Sequence, residues 1–269
     1  MIKISYEQMM KQLATMSKED INEHLKQLGC SLSYDMIVER LTLTYNDLEV
    51  ADNIFHNDPI HDDQSSVPKS FIDEVVLEIA RRESFPFVHY GLISSTIYDI
   101  IEKHQCDMVD AMLQQYTYLF KLAKNFQLTS LEGLVYQIND GVDMLSATIF
   151  LLDEAMKKAR NEVKYYKEII SFVEKFLHTF TKTSDMFKLS LQYEMAQAYI
   201  AMKSKKGEQL FLALLKSSND VTEVVLHYAL SYIDDDEKKA MRIIKRYRSL
   251  LDKESDSYET IQELIKDYE

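Results

Sequence analysis

The chain has 269 residues, with only 5 glycines and 3 prolines. Average usage would give roughly 19 and 13, so a Rossmann sheet, a barrel or a β-sandwich, each rich in tight turns, is excluded as a reading. Hydrophobic residues make up 46% and charged residues 28%, enough to bury a core, and the net charge of −13 repels phosphate backbones unless a basic face is segregated. The expected fold class is all-α.

Two cysteines, Cys30 and Cys106, are too few for a disulfide scaffold. The stretch Met1-Ile2-Lys3-Ile4-Ser5 lacks the apolar run of a secretory signal, and no uncharged apolar run is long enough to span a bilayer. The expected location is the cytoplasm, with no membrane partner.

Helical periodicity then runs almost end to end. Ser17-Lys18-Glu19-Asp20 predicts an N-cap with an acidic first turn. The segment behind it aligns Ile21, Leu25 and Leu28 and stops at Gly29. Shorter helices follow over about 33–43 and 46–55. Residues 56–68 are polar and hold two of the three prolines, which predicts a loop. The expected organisation is a helical unit at 1–57, a linker at 58–69 and a helical-hairpin domain at 70–269. Within that domain Ser70 is an expected cap for a helix to Arg82, Pro86 opens the next, and another covers 107–125. Thr129-Ser130-Leu131-Glu132 reads as a capping box. Residues 131–160 form one helix or two, because Asn139-Asp140-Gly141 is a plausible break; 163–179 and 185–203 are helices.

The tail repeats itself. Residues 189–221 laid over 222–254 give a 33-residue period with five identities: Ala196/Ala229, Tyr199/Tyr232, Ile200/Ile233, Lys205/Lys238 and Lys206/Lys239. Gly207 falls on Ala240 and Phe211 on Ile244. Small residues on two successive helices, with bulky ones beside them, form a helix-hairpin packing pattern. The pattern resembles the tetratricopeptide-type repeat, whose period is close to 34. It departs from that family in an 11-residue gap between the small positions and in lacking the terminal proline. The resemblance implies a right-handed hairpin array with a concave groove lined by the first helix of each hairpin. In that frame the groove residues are Tyr193, Gln197, Ile200, Leu226, Leu230 and Ile233. The implied function is non-enzymatic binding of a protein or peptide, without cofactor or nucleic acid. The arrangement is also similar to bacterial peptide-sensing regulators, here without a convincing DNA-binding domain. A structural homo-oligomer, such as a homodimer burying the same residues, is an alternative.

Other constellations are weighed against this one. His56, Asp58, His61, Asp62 and Asp63 are metal-ligand types, and His61-Asp62 is similar to the paired His-Asp of metal-dependent phosphohydrolases. That alternative enzyme needs the pair on a helix with further ligands, whereas here it falls in a proline-bracketed loop. Glu174/His178 and Glu223/His227 are i, i+4 pairs, not the i, i+3 spacing of di-metal bundles. None of the zincin, CxxC, P-loop, Rossmann or nucleophile-elbow motifs occurs. Cys106 and His104 stand two apart, so they do not face one another on a helix, and Cys30 at a helix C-terminus is expected to keep its proton. A helix-turn-helix at 19–43 would read DNA with Asp35 and Glu39, among only five Lys or Arg against nine Asp or Glu in residues 1–55. Arg242, Lys245, Arg246 and Arg248 follow Asp234-Asp235-Asp236-Glu237 and read as a solvated face.

Overall fold

A computed structural model describes residues 6–61, 70–103, 107–138 and 143–268, and among them every regular element is a helix. In chain order these are α1 (Tyr6–Leu13), α2 (Lys18–Gln27), α3 (Tyr34–Thr44), α4 (Asp47–Asn57), α5 (Phe71–Arg82), α6 (Pro86–Glu102), α7 (Met108–Asn125), α8 (Leu131–Ile138), α9 (Met144–Ala159), α10 (Lys164–Thr179), α11 (Asp185–Ala201), α12 (Lys205–Ser217), α13 (Val221–Ile233), α14 (Glu237–Tyr247) and α15 (Ser257–Tyr268). The chain divides into two compact units, residues 1–105 with 115–144, and residues 106–114 with 145–269. Among the described residues no helix is long and apolar enough to cross a membrane.

The first unit is built around α5. Phe71, Ile72, Val75, Val76, Ile79 and Ala80 are all fully buried, and α5 packs against α1, α3, α4 and α6. Its last residue, Arg82, donates to the carbonyls of Leu13 (2.6 Å) and Met16 (2.9 Å), and its Nε pairs with Glu78 at 2.9 Å. One guanidinium thus ties down carbonyls at and just beyond the end of α1, of which Leu13 also accepts from the Met16 N–H at 3.2 Å. The N-cap at Ser17 forms as the sequence predicts, and Asp20 completes it as a reciprocal capping box. Gly29 takes φ +88°, and Cys30 N–H reaches back to the Leu25 carbonyl at 2.9 Å, closing α2.

The expected linker does not separate two cores. Ile60 packs into the same apolar cluster that joins α2–α4 to α5, and the His61 N–H donates to the Leu28 carbonyl at 2.8 Å. The boundary between compact units lies instead near residue 144 and within α7. A polar, proline-bearing stretch looks alike in sequence whether it links domains or connects two helices of one core. Residues 62–69 and the break at 139–142 lie outside the described residues, but α8 and α9 flank that break as two separate helices. Two caps also differ. Ser130, not Thr129, accepts from the Gly133 N–H at 3.1 Å, and Ser70 makes no side-chain cap. The terminal helices α1 and α15 carry too little repeated pattern to stand out in the sequence.

In the second unit α11 packs on α10, α12 and α13, and α13 on α14 and α15. The four small residues of the repeat, Ala196, Gly207, Ala229 and Ala240, are buried where these helices meet. A Cβ on Gly207 would lie 2.6 Å from Ile200 Cγ1, 2.7 Å from the Ala196 carbonyl oxygen and 2.9 Å from the Ile200 nitrogen. Two of those atoms are backbone and cannot step aside. A Cβ on Gly91 of α6 would meet only Ile138 Cγ2 at an ordinary 3.6 Å. The same substitution should therefore have opposite signs at the two positions. Gly207→Ala should lower stability by about 1–3 kcal/mol through overpacking. Gly91→Ala should raise it by about 0.5–1 kcal/mol through helix propensity. Urea melts of the two variants check this, and equal signs would contradict the packing.

Candidate functional site

The second unit carries a cleft of about 730 Å³ formed by the end of α10, the start of α11, the end of α12 and the start of α13. Leu177, Met186, Leu189 and Leu214 supply apolar wall; Gln192, Ser218, Asp185, Asp220 and Glu223 supply polar groups. Local capping explains much of this placement. Asp220 accepts from the Glu223 N–H at 3.0 Å and so starts α13, with its other oxygen held by Ser255 Oγ at 2.9 Å. Asp185 pairs with Lys188 at 2.7 Å, and the same ammonium donates to the Thr181 carbonyl.

Behind these residues lies a chain of stacked rings. Tyr193 stacks on His227 with centroids 4.2 Å apart and faces Phe211 at 6.3 Å, and Phe211 stacks on Tyr228 at 4.8 Å. Tyr193 is 1% exposed, and its hydroxyl makes no hydrogen bond of acceptable geometry. That hydroxyl lies beside Glu223, Asp220 and Ser218; burial first, then the two carboxylates, pushes its pKa up. Burial and the Asp220 charge likewise raise the Glu223 pKa.

The six expected groove residues divide. Tyr193, Ile200 and Leu226 are buried in the core, Gln197 and Ile233 are half-buried, and Leu230 is exposed. Tyr193 and Ile200 stand three before and four after Ala196, and Leu226 and Ile233 stand likewise about Ala229. Residues at that spacing share the alanine's own helix face, so they are drawn inward with it. Gln197 and Leu230 are one step around the helix and stay at the edge. The side chains therefore do not line one open groove, and none of the six is among the residues that line the cleft.

The metal constellation does not assemble among the described residues. Asp58 accepts from the Ser31 N–H at 2.8 Å, His56 Nδ1 lies 3.2 Å from the Asp52 carbonyl in its own helix, and His61 acts through its backbone. Asp62 and Asp63 lie outside the described residues, as do His104 and Cys106. Cys30 is buried and its thiol is pushed up to about 11, by burial rather than by the helix end, so it is no thiolate. In the would-be reading helix, Asp35 is paired with Lys18. A second cleft, in the first unit, is lined by Tyr90, also buried with an unpartnered hydroxyl, but its carboxylate, Glu83, already accepts from Tyr34 at 2.9 Å.

Comparison with family models, with curated proteins and with solved structures finds no match to this chain.

Two interior titratable groups stand out: Glu194, which the sequence pattern did not mark, and His227, read in sequence only as half of an i, i+4 pair with Glu223. Burial pushes His227 down to about 4, where it stacks on Tyr193 and its Nδ1 lies 3.4 Å from Gln197 Nε2. Burial, with Asp153 nearby, raises Glu194 to about 7. For His227 the unfolded chain binds the proton first, so its contribution is complete above about 6.5 and falls as pH drops toward 4. For Glu194 the folded chain holds the proton longer, so stability is lost as pH rises from 4.5 to about 7. The two slopes oppose each other. Glu194→Gln should leave stability near that of wild type at pH 4 and exceed it by about 2–3 kcal/mol at pH 7.5. Denaturant melts across that range check this; a gap that does not widen with pH would contradict it.

Proposed function

We propose that the second unit is a non-enzymatic module that binds an extended peptide or protein segment, using a short array of tetratricopeptide-like hairpins. The hairpins are α11–α12 and α13–α14, with α15 covering the last. Support for the array comes from the 33-residue period, the buried small residues at its repeated positions and the packing of α11 on both α12 and α13. The repeated tyrosines act alike: Tyr199 donates to Glu174 and lies beneath Lys206, while Tyr232 donates to Glu208 and lies beneath Lys239. They tie neighbouring helices together at half-exposed positions and do not fill the core.

The observation that carries the binding reading is the cleft. Apolar walls interleaved with polar groups, with Met186 78% exposed among them, suit a side chain inserted from outside.

Panning of a random peptide library on the full chain tests this. Enriched peptides should compete with one another. They should bind at least about tenfold more weakly to Gln192→Trp, which fills the cleft, with the thermal midpoint unchanged. Peptides that bind this variant as well as wild type, or a library that yields none, would overturn the reading.

A further inference from the structure

We propose that the face formed by α5 and α6 of the first unit is a contact between two copies of this chain. The copies pair across a twofold axis, with Leu92 of each seated in the hollow over Gly91 of the other. This concerns a different unit from the peptide cleft and does not rest on the peptide-binding reading.

The face holds a groove of about 530 Å³, lined mainly by α5 and α6. Leu48 of α4, Leu77 of α5 and Leu92 of α6 all line it and are all exposed, Leu92 by 62%. Single exposed leucines are ordinary on a protein surface, but three around one groove make a patch. The same place is poor in charge. Charged residues are 28% of the chain, yet residues 86–98, the first thirteen of α6, include no Asp, Glu, Lys or Arg. Depletion of charge from an exposed helix face is the composition found at the buried centre of an interface.

Gly91 adds an observation of another kind. A Cβ built on it would meet only Ile138 Cγ2, at an ordinary 3.6 Å. The fold thus has room for a methyl group, and glycine inside a helix weakens that helix. A bare stretch of backbone that the chain does not fill suits close approach from outside. Leu92 stands next to it, so bump and hollow lie side by side on one helix, and a twofold axis brings each onto the other.

The charges at the groove name the occupant. Glu74 and Arg81 both line it, two turns apart on α5 and about 10 Å along the helix axis. Turned end to end across a twofold axis, the two copies set carboxylate opposite guanidinium twice. The Arg81 side chain is 68% exposed and lies 3.6 Å from Glu78, which Arg82 holds more closely at 2.9 Å. A uniformly basic partner would meet Arg81, and a uniformly acidic one would meet Glu74. A face that carries both signs in reverse order matches, and this chain's own face is such a face.

Sedimentation velocity on the full chain, from about 1 to about 200 µM, tests this. The wild type should pass from monomer to dimer across that range. Leu92→Asp, which replaces the bump, and Gly91→Leu, which fills the hollow, should each weaken the dimer at least about tenfold. Leu92 is exposed in the single chain, so Leu92→Asp should leave the thermal midpoint unchanged. Glu74→Arg and Arg81→Glu should each weaken self-association at least about tenfold, because each sets like charges face to face twice. Mixed in equal amounts, these two variants should form a heterodimer about as tight as the wild-type dimer, since one offers two guanidinium groups and the other two carboxylates. That rescue separates a self-contact from misfolding of either variant. A wild type still monomeric at about 200 µM would overturn the proposal and leave the face to a helix of another protein. A dimer untouched by Leu92→Asp and Gly91→Leu, or a mixture that forms no heterodimer, would overturn it as well.

Discussion

The second unit depends on the close approach of α11 and α12 at Gly207, where no side chain fits. That contact fixes α12 against the backbone of α11 at Ala196 and Ile200. Once it is fixed, the residues one and two turns away must fill whatever space the two helices leave. Phe211 fills it from α12 and Tyr193 from α11, and His227 and Tyr228 complete the stack from α13. Beyond the rings the gap is no longer filled by aromatic side chains, and the cleft begins among Leu189, Leu214 and the start of α13. The floor of the cleft is thus a consequence of a contact made farther along the same hairpin. Tyr193 belongs to the core, its buried hydroxyl lying beside Glu223 and Ser218.

Much of this is legible in the sequence because helices announce themselves locally. Ser17 and Asp20, Gly29 and the apolar spacing of α5 are each decided within a few residues, and the structure reproduces them. What sequence spacing could not supply is which connection is a linker. The stretch after α4 is polar, yet Ile60 is carried into the core and Gly29 lies directly against the Pro59 carbonyl. Those are tertiary contacts between segments about thirty residues apart in the chain. The groove failed for a different reason. The alanines were correctly placed as close-packing residues, but their neighbours three before and four after share that face, and a residue cannot both follow the alanine inward and line an open surface. The cleft residue Asp185 reads in sequence only as the start of a helix, and nothing local reports that a second helix start, capped by Asp220, converges on it.

The interior of the second unit also keeps groups that a stability-optimised core would replace. His227 is held neutral and Glu194 is held partly protonated near neutral pH, both by burial. Their opposing responses give this region a flatter dependence on pH between about 4.5 and 6.5 than either group alone would produce. The Tyr193 hydroxyl is buried in the same region beside Glu223 and Ser218, without a well-formed hydrogen bond. Burying polar groups without satisfying them costs stability, and proteins commonly tolerate that cost where the group serves something other than folding.

The charge of the whole chain bears on the same point at longer range. With 44 acidic against 31 basic residues, the surface field attracts cations and slows the approach of anions, an effect that salt screens over about 8–10 Å. Such a field selects the sign of a partner's charge but not its shape. Shape selection has to come from a desolvated site where a charge is poorly compensated and a hydrogen-bonding position is open. Among the described residues the α10–α13 cleft gathers Asp185, Asp220 and Glu223 around one ammonium, Lys188, whereas the basic face of α14 is exposed on a helix whose first turn is acidic. Long-range attraction and a desolvated local contact are separated by salt: the first weakens as ionic strength rises, while the second is screened much less.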